Sequence, residues 1–274
     1  MNAIFIVCFF TFLIHVTETM AYTLRLAGTR TGRIAIALSF VTSTLLVSRL
    51  SNMFQAPILG ALVDGAILAG HPGAIDGLIM QFRWVIFSAF LGAAVGMLLT
   101  PTCITLFTAA IRSFAKTGSL PKTAIMALRT RHFAGWRQAI RIPRWSMLKK
   151  VSIATLPKTF LILNLLVASI YTIGVLCALL AGALAPEFRS TAINLSGIVN
   201  GLATIMFTLF VDPAGARITD EVARGTRPEK DILSVVFFLQ MGRLLGTLII
   251  AQLLLMPCTH YILKVTLWLA DKAI

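Results

Sequence analysis

Ionisable side chains stand at helical spacing inside otherwise apolar stretches of this chain, and they are where its chemistry must lie. His15, Glu18, Tyr22 and Arg25 fall at i, i+3, i+7 and i+10, so a helix presents all four along one stripe. Glu18 and Arg25 are then roughly 10 Å apart along the axis, close enough to share a cavity and too far for a tight direct pair. Arg49 and Asn52 stand at i and i+3 in the next apolar stretch, with Gln55 following. Arg49 lies roughly 24 Å of helix beyond Arg33. Further on come Asp212, at the end of a stretch holding Asn194, Asn200, Thr204 and Thr208, and then Gln240 and Arg243 at i and i+3.

Charges in apolar surroundings need partners or a water-filled cavity. Arginine keeps its charge, and its planar fork of donors matches phosphate oxygens. Three arginines in apolar stretches, Arg25, Arg49 and Arg243, stand against two carboxylates, Glu18 and Asp212. The expected product is a cavity with a cationic excess that suits an anionic head group. The competing reading is that these arginines pair internally and only fix helix packing. For the asparagines and Gln240, bonding one helix to another is the plainer role.

The elements that position these residues follow from composition. The 274 residues are 58% hydrophobic and 12% charged, with a mean hydropathy of +0.89. A soluble domain carries roughly twice that charged fraction, so lipid must be part of the solvent. The chain reads as all-α: one polytopic transmembrane domain, residues 1–274, of about six helices. The apolar segments run from about Ala3 to Leu24, Ile34 to Ala69, Trp84 to Ile111, Leu156 to Leu184, Thr191 to Val211, and Ile232 to Met256. The second is too long for one simple span, and Pro57 inside it predicts a break or re-entrant turn. The tail from Cys258 to Ile274 is amphipathic and suits the membrane surface. The first segment lacks a basic leader and reads as a retained helix rather than a cleaved signal.

The net charge of +14 is distributed as topology requires and not as a nucleic-acid-binding face. Arg112 to Lys158 holds eleven basic residues and no acidic one. This basic loop, at about 112–155, is expected in the cytoplasm. Alternation places Arg25, Arg30 and Arg33 there too, with the loop from Asp212 to Asp231, and leaves both termini outside. Phe114, Phe133, Trp136 and Trp145 interleave with the loop's charges, a mixture that suits anionic membrane lipids. No internal repeat stands out.

Enzyme signatures are lacking: no GxSxG, HExxH or Walker A pattern occurs. Histidines 15, 71, 132 and 260 are scattered. Each of the four cysteines, Cys8, Cys103, Cys177 and Cys258, sits in a different apolar stretch, the pattern of small core residues. No metal and no cofactor is expected.

The same residues carry a resemblance. His15-Val16-Thr17-Glu18-Thr19-Met20-Ala21-Tyr22, followed by Arg25-Leu26-Ala27-Gly28-Thr29-Arg30-Thr31-Gly32, resembles the start of the Amj family of lipid II flippases. Ser48-Arg49-Leu50-Ser51-Asn52-Met53-Phe54-Gln55-Ala56-Pro57 resembles its second signature. Beyond residue 70 the likeness is one of size, hydropathy and a basic central loop. The resemblance implies a bacterial inner-membrane protein that moves undecaprenyl-pyrophosphate-linked peptidoglycan precursor between leaflets. Site candidates on this reading are Glu18, Tyr22, Arg25, Arg30, Arg49, Asn52, Gln55, Asp212, Gln240 and Arg243. Arg25, Arg30 and Arg49 would bind the pyrophosphate, and Glu18 would hold Arg49 or Arg25 when the site is empty. Two alternatives stay open: an integral-membrane enzyme acting on polyprenyl phosphates, and a non-transporting envelope scaffold working through the basic loop. Protein partners, the energy source and the oligomeric state are not encoded in any motif.

Overall fold

A computed structural model describes residues 3–120, 122, 123, 125, 140, 141, 143 and 149–273. The structure is 90% helical, and no strand occurs among the described residues. Six helical stretches are long and apolar enough to cross a membrane: Ala3–Thr31, Ile34–Ala69, Gly73–Leu98, Lys158–Leu184, Pro186–Ala223 and Glu229–Lys272.

Two units of three crossings can be distinguished. The first holds α1 (Ala3–Ala21) and α2 (Leu24–Thr31), α3 (Ile34–Ala69), α4 (Pro72–Leu98) and its continuation α5 (Thr100–Thr117). The turn from α2 into α3 is made by Gly32 at φ 65°, a left-handed conformation that glycine adopts without strain. The second unit holds α6 (Lys158–Leu184), the short α7 (Arg189–Asn194), α8 (Ser196–Met206) and α9 (Asp212–Ala223). It ends in α10 (Glu229–Leu245) and α11 (Ala251–Ala273). One π turn, Phe207–Val211, joins α8 to α9, and another, Gly246–Ile250, joins α10 to α11.

Within each unit the first and third crossings run parallel and pack on glycines. A Cβ on Gly92 of α4 would lie 2.5 Å from the Phe12 carbonyl oxygen of α1, and one on Gly96 3.0 Å from that of Val16. In the second unit a Cβ on Gly246 would lie 3.0 Å from the Leu165 carbonyl oxygen of α6. Small residues bring the backbones together because lipid offers no hydrophobic drive between helices, and close packing must replace it. The middle crossing packs antiparallel on the first. Thr11 donates to Gln55 at 2.9 Å between α1 and α3, and Tyr171 donates to Thr204 at 2.7 Å between α6 and α8.

The units meet along α4 with α5 on one side and α10 with α11 on the other. Thr100 donates to Gln240 at 3.0 Å, and Arg83 reaches Gln252 at 3.2 Å. One apolar core, around Phe82, Leu59, Ile173 and Leu255, fills the half of the bundle nearer the Asp64 end of α3. A second, around Phe160, Ile218, Ile232 and Leu239, fills the half nearer the Arg33 end.

Two expectations need correction. The second crossing is not broken at Pro57: α3 runs as one helix of 36 residues with the proline inside it. Proline removes only the bond to the carbonyl four residues back, and its ring here lies on an exposed face. Gln55 and Leu59 on either side are buried, so the flanking turns stay anchored. The tail after Pro257 is likewise no separate surface segment. α11 continues through that proline, and Leu255, Thr259, Ile262 and Thr266 form a buried stripe at helical spacing along it. Of the basic loop, Arg129, Arg131, Arg137, Arg144, Phe133, Trp136 and Trp145 lie outside the described residues.

Candidate functional site

A cavity of about 720 Å³ lies between the units, walled by α1 and α3 on one side and by α6, α8 and the start of α9 on the other. That is the size range of small-molecule sites. Eight of the ten residues proposed from sequence line it: Glu18, Tyr22, Arg25, Arg49, Asn52, Gln55, Asp212 and Arg243. The stripe on α1 therefore faces the bundle interior as its periodicity requires.

Its charges are sorted into two pairs and one remainder. Arg243 is 9% exposed and donates to Glu18, with Tyr22 at 3.5 Å and the His15 ring nitrogen at 3.3 Å. The Tyr22 ring also faces the guanidinium, 5.8 Å from its centre. Ser48 of α3 donates to the other Glu18 oxygen at 2.7 Å, so one carboxylate ties α1, α3 and α10 together. Arg25 pairs with Asp212, linking α2 to α9. Arg49 is exposed to the cavity and has no ion pair among the described residues. Three cations against two carboxylates leave one free positive charge, and it is Arg49. Asn52, one turn further along α3, is exposed beside it.

Glu18 thus holds Arg243, and neither Arg49 nor Arg25. The reason is geometric: Arg49 points to the open side of α3, while Arg243 enters from α10 directly opposite Glu18. Gln55 is buried and accepts from Thr11. Arg30 and Gln240 are outside the cavity. Arg30 pairs with Glu229 near the end of α2, its Nε 2.9 Å from the carboxylate. Gln240 is buried and joins helices, donating to the Thr19 carbonyl at 3.1 Å.

Ser48, Tyr171 and Thr172 escaped the sequence reading, and Asn200 was read there as a helix-bonding residue. Ser48 fixes Glu18, and Tyr171, Thr172 and Asn200 supply polar groups on the wall formed by the second unit. Asn164 lines the cavity while donating to the Phe238 carbonyl at 3.0 Å. The Asn200 side-chain oxygen is buried without a partner. Hydroxyl and amide groups are common in membrane helices, so only the fold distinguishes these from packing residues. Among the described residues no group of three His, Cys, Asp or Glu side chains is placed to hold a metal ion.

The whole arrangement is a net-positive chamber of mixed polar and apolar lining in an apolar bundle. Comparison with known proteins gives a consistent result. Residues 10–266 match the family model Amj, described as alternate to MurJ. Over 268 residues the chain is 40% identical to a protein of Bacillus subtilis (strain 168) named Lipid II flippase Amj, covering 97% of each chain. No solved structure matches the chain.

Proposed function

The chain belongs to the Amj family, and on that premise we propose that it is a lipid II flippase, a transporter of lipid-linked peptidoglycan precursor and not an enzyme. The observation that carries the reading is the unpaired Arg49 in a chamber whose other two arginines are neutralised. The free guanidinium supplies the donors that a pyrophosphate needs, and Asn52 adds an amide next to it. Tyr171, Thr172 and Asn200 face this point from the second unit and suit sugar hydroxyls. The polyprenyl tail stays in lipid outside the cleft between α3 and α8.

Arg243 and Arg25 hold the chamber's shape through Glu18 and Asp212, and Arg30 acts at the chamber's edge through Glu229. The protein resides in the bacterial cytoplasmic membrane. The basic loops, including the stretch at about 112–155, lie inside against anionic lipids, and both termini lie outside. The Arg33 end of α3 is then cytoplasmic and the Asp64 end faces outward.

The test is outer-leaflet exposure of labelled lipid II in cells depleted of every other flippase. The intact chain should restore exposure. Arg49→Ala at matched membrane level should reduce it by about tenfold or more, the loss of roughly 1.5–3 kcal/mol of charged hydrogen bonding. An intact, well-folded chain that restores nothing would overturn the function. An Arg49→Ala chain that transports normally would remove Arg49 from the path.

A further inference from the structure

The two three-helix units are copies of one another, which hydropathy conceals because every apolar stretch looks alike. α4 carries Val85-Ile86-Phe87 and then Gly92 and Gly96; α10 carries Val235-Val236-Phe237 and then Gly242 and Gly246 at the same spacing. Ala35-Ile36-Ala37-Leu38-Ser39 near the start of α3 recurs as Ala192-Ile193-Asn194-Leu195-Ser196 across α7 and α8. Phe54, Pro57 and Asp64 recur at the same spacing as Phe210, Pro213 and Asp220, and Tyr22-Thr23 of the first crossing as Tyr171-Thr172 of the fourth.

Contacts obey the same register. The match of Tyr22 to Tyr171 brings His15 onto Asn164 and Val16 onto Leu165. Gly92 lies against His15 and Gly242 against Asn164; Gly96 lies against the Val16 carbonyl and Gly246 against that of Leu165. An alignment of the first crossings and an alignment of the third crossings therefore meet in the same atoms. No internal repeat stands out from hydropathy, and the glycine contacts are what bring this one out. Each unit crosses three times, an odd number, so the second is inserted upside down relative to the first.

The repeat gives each residue at one end of the bundle a counterpart at the other. Asp64 corresponds to Asp220. Arg33 and Arg189 both stand at the start of the middle crossing, two residues before the Ala-Ile-x-Leu-Ser run in one unit and three before it in the other. At the outward end Arg189 is bonded to Asp64, which ties the second unit to the first. At the cytoplasmic end the matching pair is apart. Arg33 is exposed with no ion pair among the described residues, and Asp220 is held by Arg224 just past the end of its own helix. A gap of about 110 Å³ lies there instead, bordered by Ile34 and Asp220, and it shares Arg25, Leu38 and Val41 with the main cavity.

We propose that Arg33–Asp220 and Asp64–Arg189 are symmetry-related closures of one cavity, formed in alternation. The structure is the state closed outward. Exchange of conformations between the inverted units yields the opposite state, in which Arg33 meets Asp220 and Asp64 leaves Arg189. The pairing rests on the transport reading for its cargo, but not for its geometry.

Two measurements on the full chain in membranes test it. Arg33→Cys/Asp220→Cys and Asp64→Cys/Arg189→Cys are built in a chain carrying Cys8→Ala, Cys103→Ala, Cys177→Ala and Cys258→Ala, and treated with a short bifunctional thiol reagent. Both pairs should cross-link in the same membranes, either link should stop lipid II exposure, and locking one pair should abolish linkage of the other. Separately, Arg33→Asp and Asp220→Arg should each lower lipid II exposure, and the double variant should restore it. Residues that do not touch in this state can rescue each other only in another. If the chain exposes lipid II but Arg33→Cys/Asp220→Cys never links and the double reversal does not rescue, the closure falls and the flippase reading stands. If both pairs link in alternation while the unmodified chain exposes no lipid II, the closure stands and the cargo is wrong.

Discussion

In the first unit a carboxylate and an arginine, Glu18 and Arg49, stand in the cavity wall. The matches of Tyr22 to Tyr171 and of Phe54 to Phe210 put Val167 and Ile205 at the corresponding places of the second. Conversely, Arg243 of α10 answers to Ala93 of α4. The helix-to-helix packing is thus shared between the units while the chemistry is not. The glycines that let parallel crossings touch occur in both copies, whereas each charge of the cavity wall stands in one copy with an uncharged residue at its counterpart. Symmetric packing allows the two units to exchange shapes at similar energy, and an asymmetric charge set places one binding point between them. The difference separates the residues that make the fold from those that use it, and each can be broken without the other.

The largest break should come at Arg243, which the second unit contributes to the first. Its guanidinium is almost wholly buried against Glu18, His15 and Tyr22. Arg243→Gln leaves Glu18 as an uncompensated carboxylate in an apolar setting, a loss of about 3–5 kcal/mol. Glu18→Gln in the same chain removes that charge and should recover most of the loss. Unfolding in graded denaturing detergent would measure both. An Arg243→Gln chain as stable as the parent would show that the cluster does not hold the units together.

How far the sequence disclosed this arrangement depends on which force set each feature. The helical stripe His15, Glu18, Tyr22, Arg25 was readable because periodicity alone decides which face of a helix carries charge. The count of three arginines against two carboxylates gives a cationic excess, and in the structure Arg25 and Arg243 are paired while Arg49 has no ion pair among the described residues. Which arginine would be free was not readable, since that depends on α10 lying opposite α1, a tertiary fact. Pro57 misled because a proline's effect turns on whether the neighbouring turns are anchored, and the buried Gln55 and Leu59 anchor them. The repeat was missed because its strongest markers are glycines spaced by four. Such spacings are common in membrane helices, and only the contacts of Gly92, Gly96, Gly242 and Gly246 give them meaning.

Those glycines supply the next break, of intermediate size. A methyl added at Gly92 meets the Phe12 backbone, and one at Gly246 meets the Leu165 backbone and the Ser169 hydroxyl. Backbone cannot swing aside as a flexible side chain can. Gly92→Ala and Gly246→Ala should each cost about 1–3 kcal/mol by overpacking. Gly60→Ala on α3 and Gly201→Ala on α8 meet nothing within 4 Å and should change stability by about 0.5 kcal/mol or less. Parallel losses in the two units would sharpen the equivalence. A loss in one unit alone would break it.

The smallest effect belongs to the contact between units that has no symmetry partner in either copy's wall, Arg30 with Glu229. Both side chains are about half exposed, at 41% and 51%, so water screens the pair and its formation contributes little. Arg30→Gln should lower stability by about 0.5 kcal/mol, and the difference should shrink at high salt because mobile ions screen exposed charges. Arg30 also sits on α2, next to the turn at Gly32 that leads to Arg33. If its pairing only trims the edge of the bundle, transport by Arg30→Gln should match the parent in both low and high salt. A loss of transport that outlasts the salt would make Arg30 part of the cytoplasmic closure with Arg33, because a screened surface pair cannot carry it.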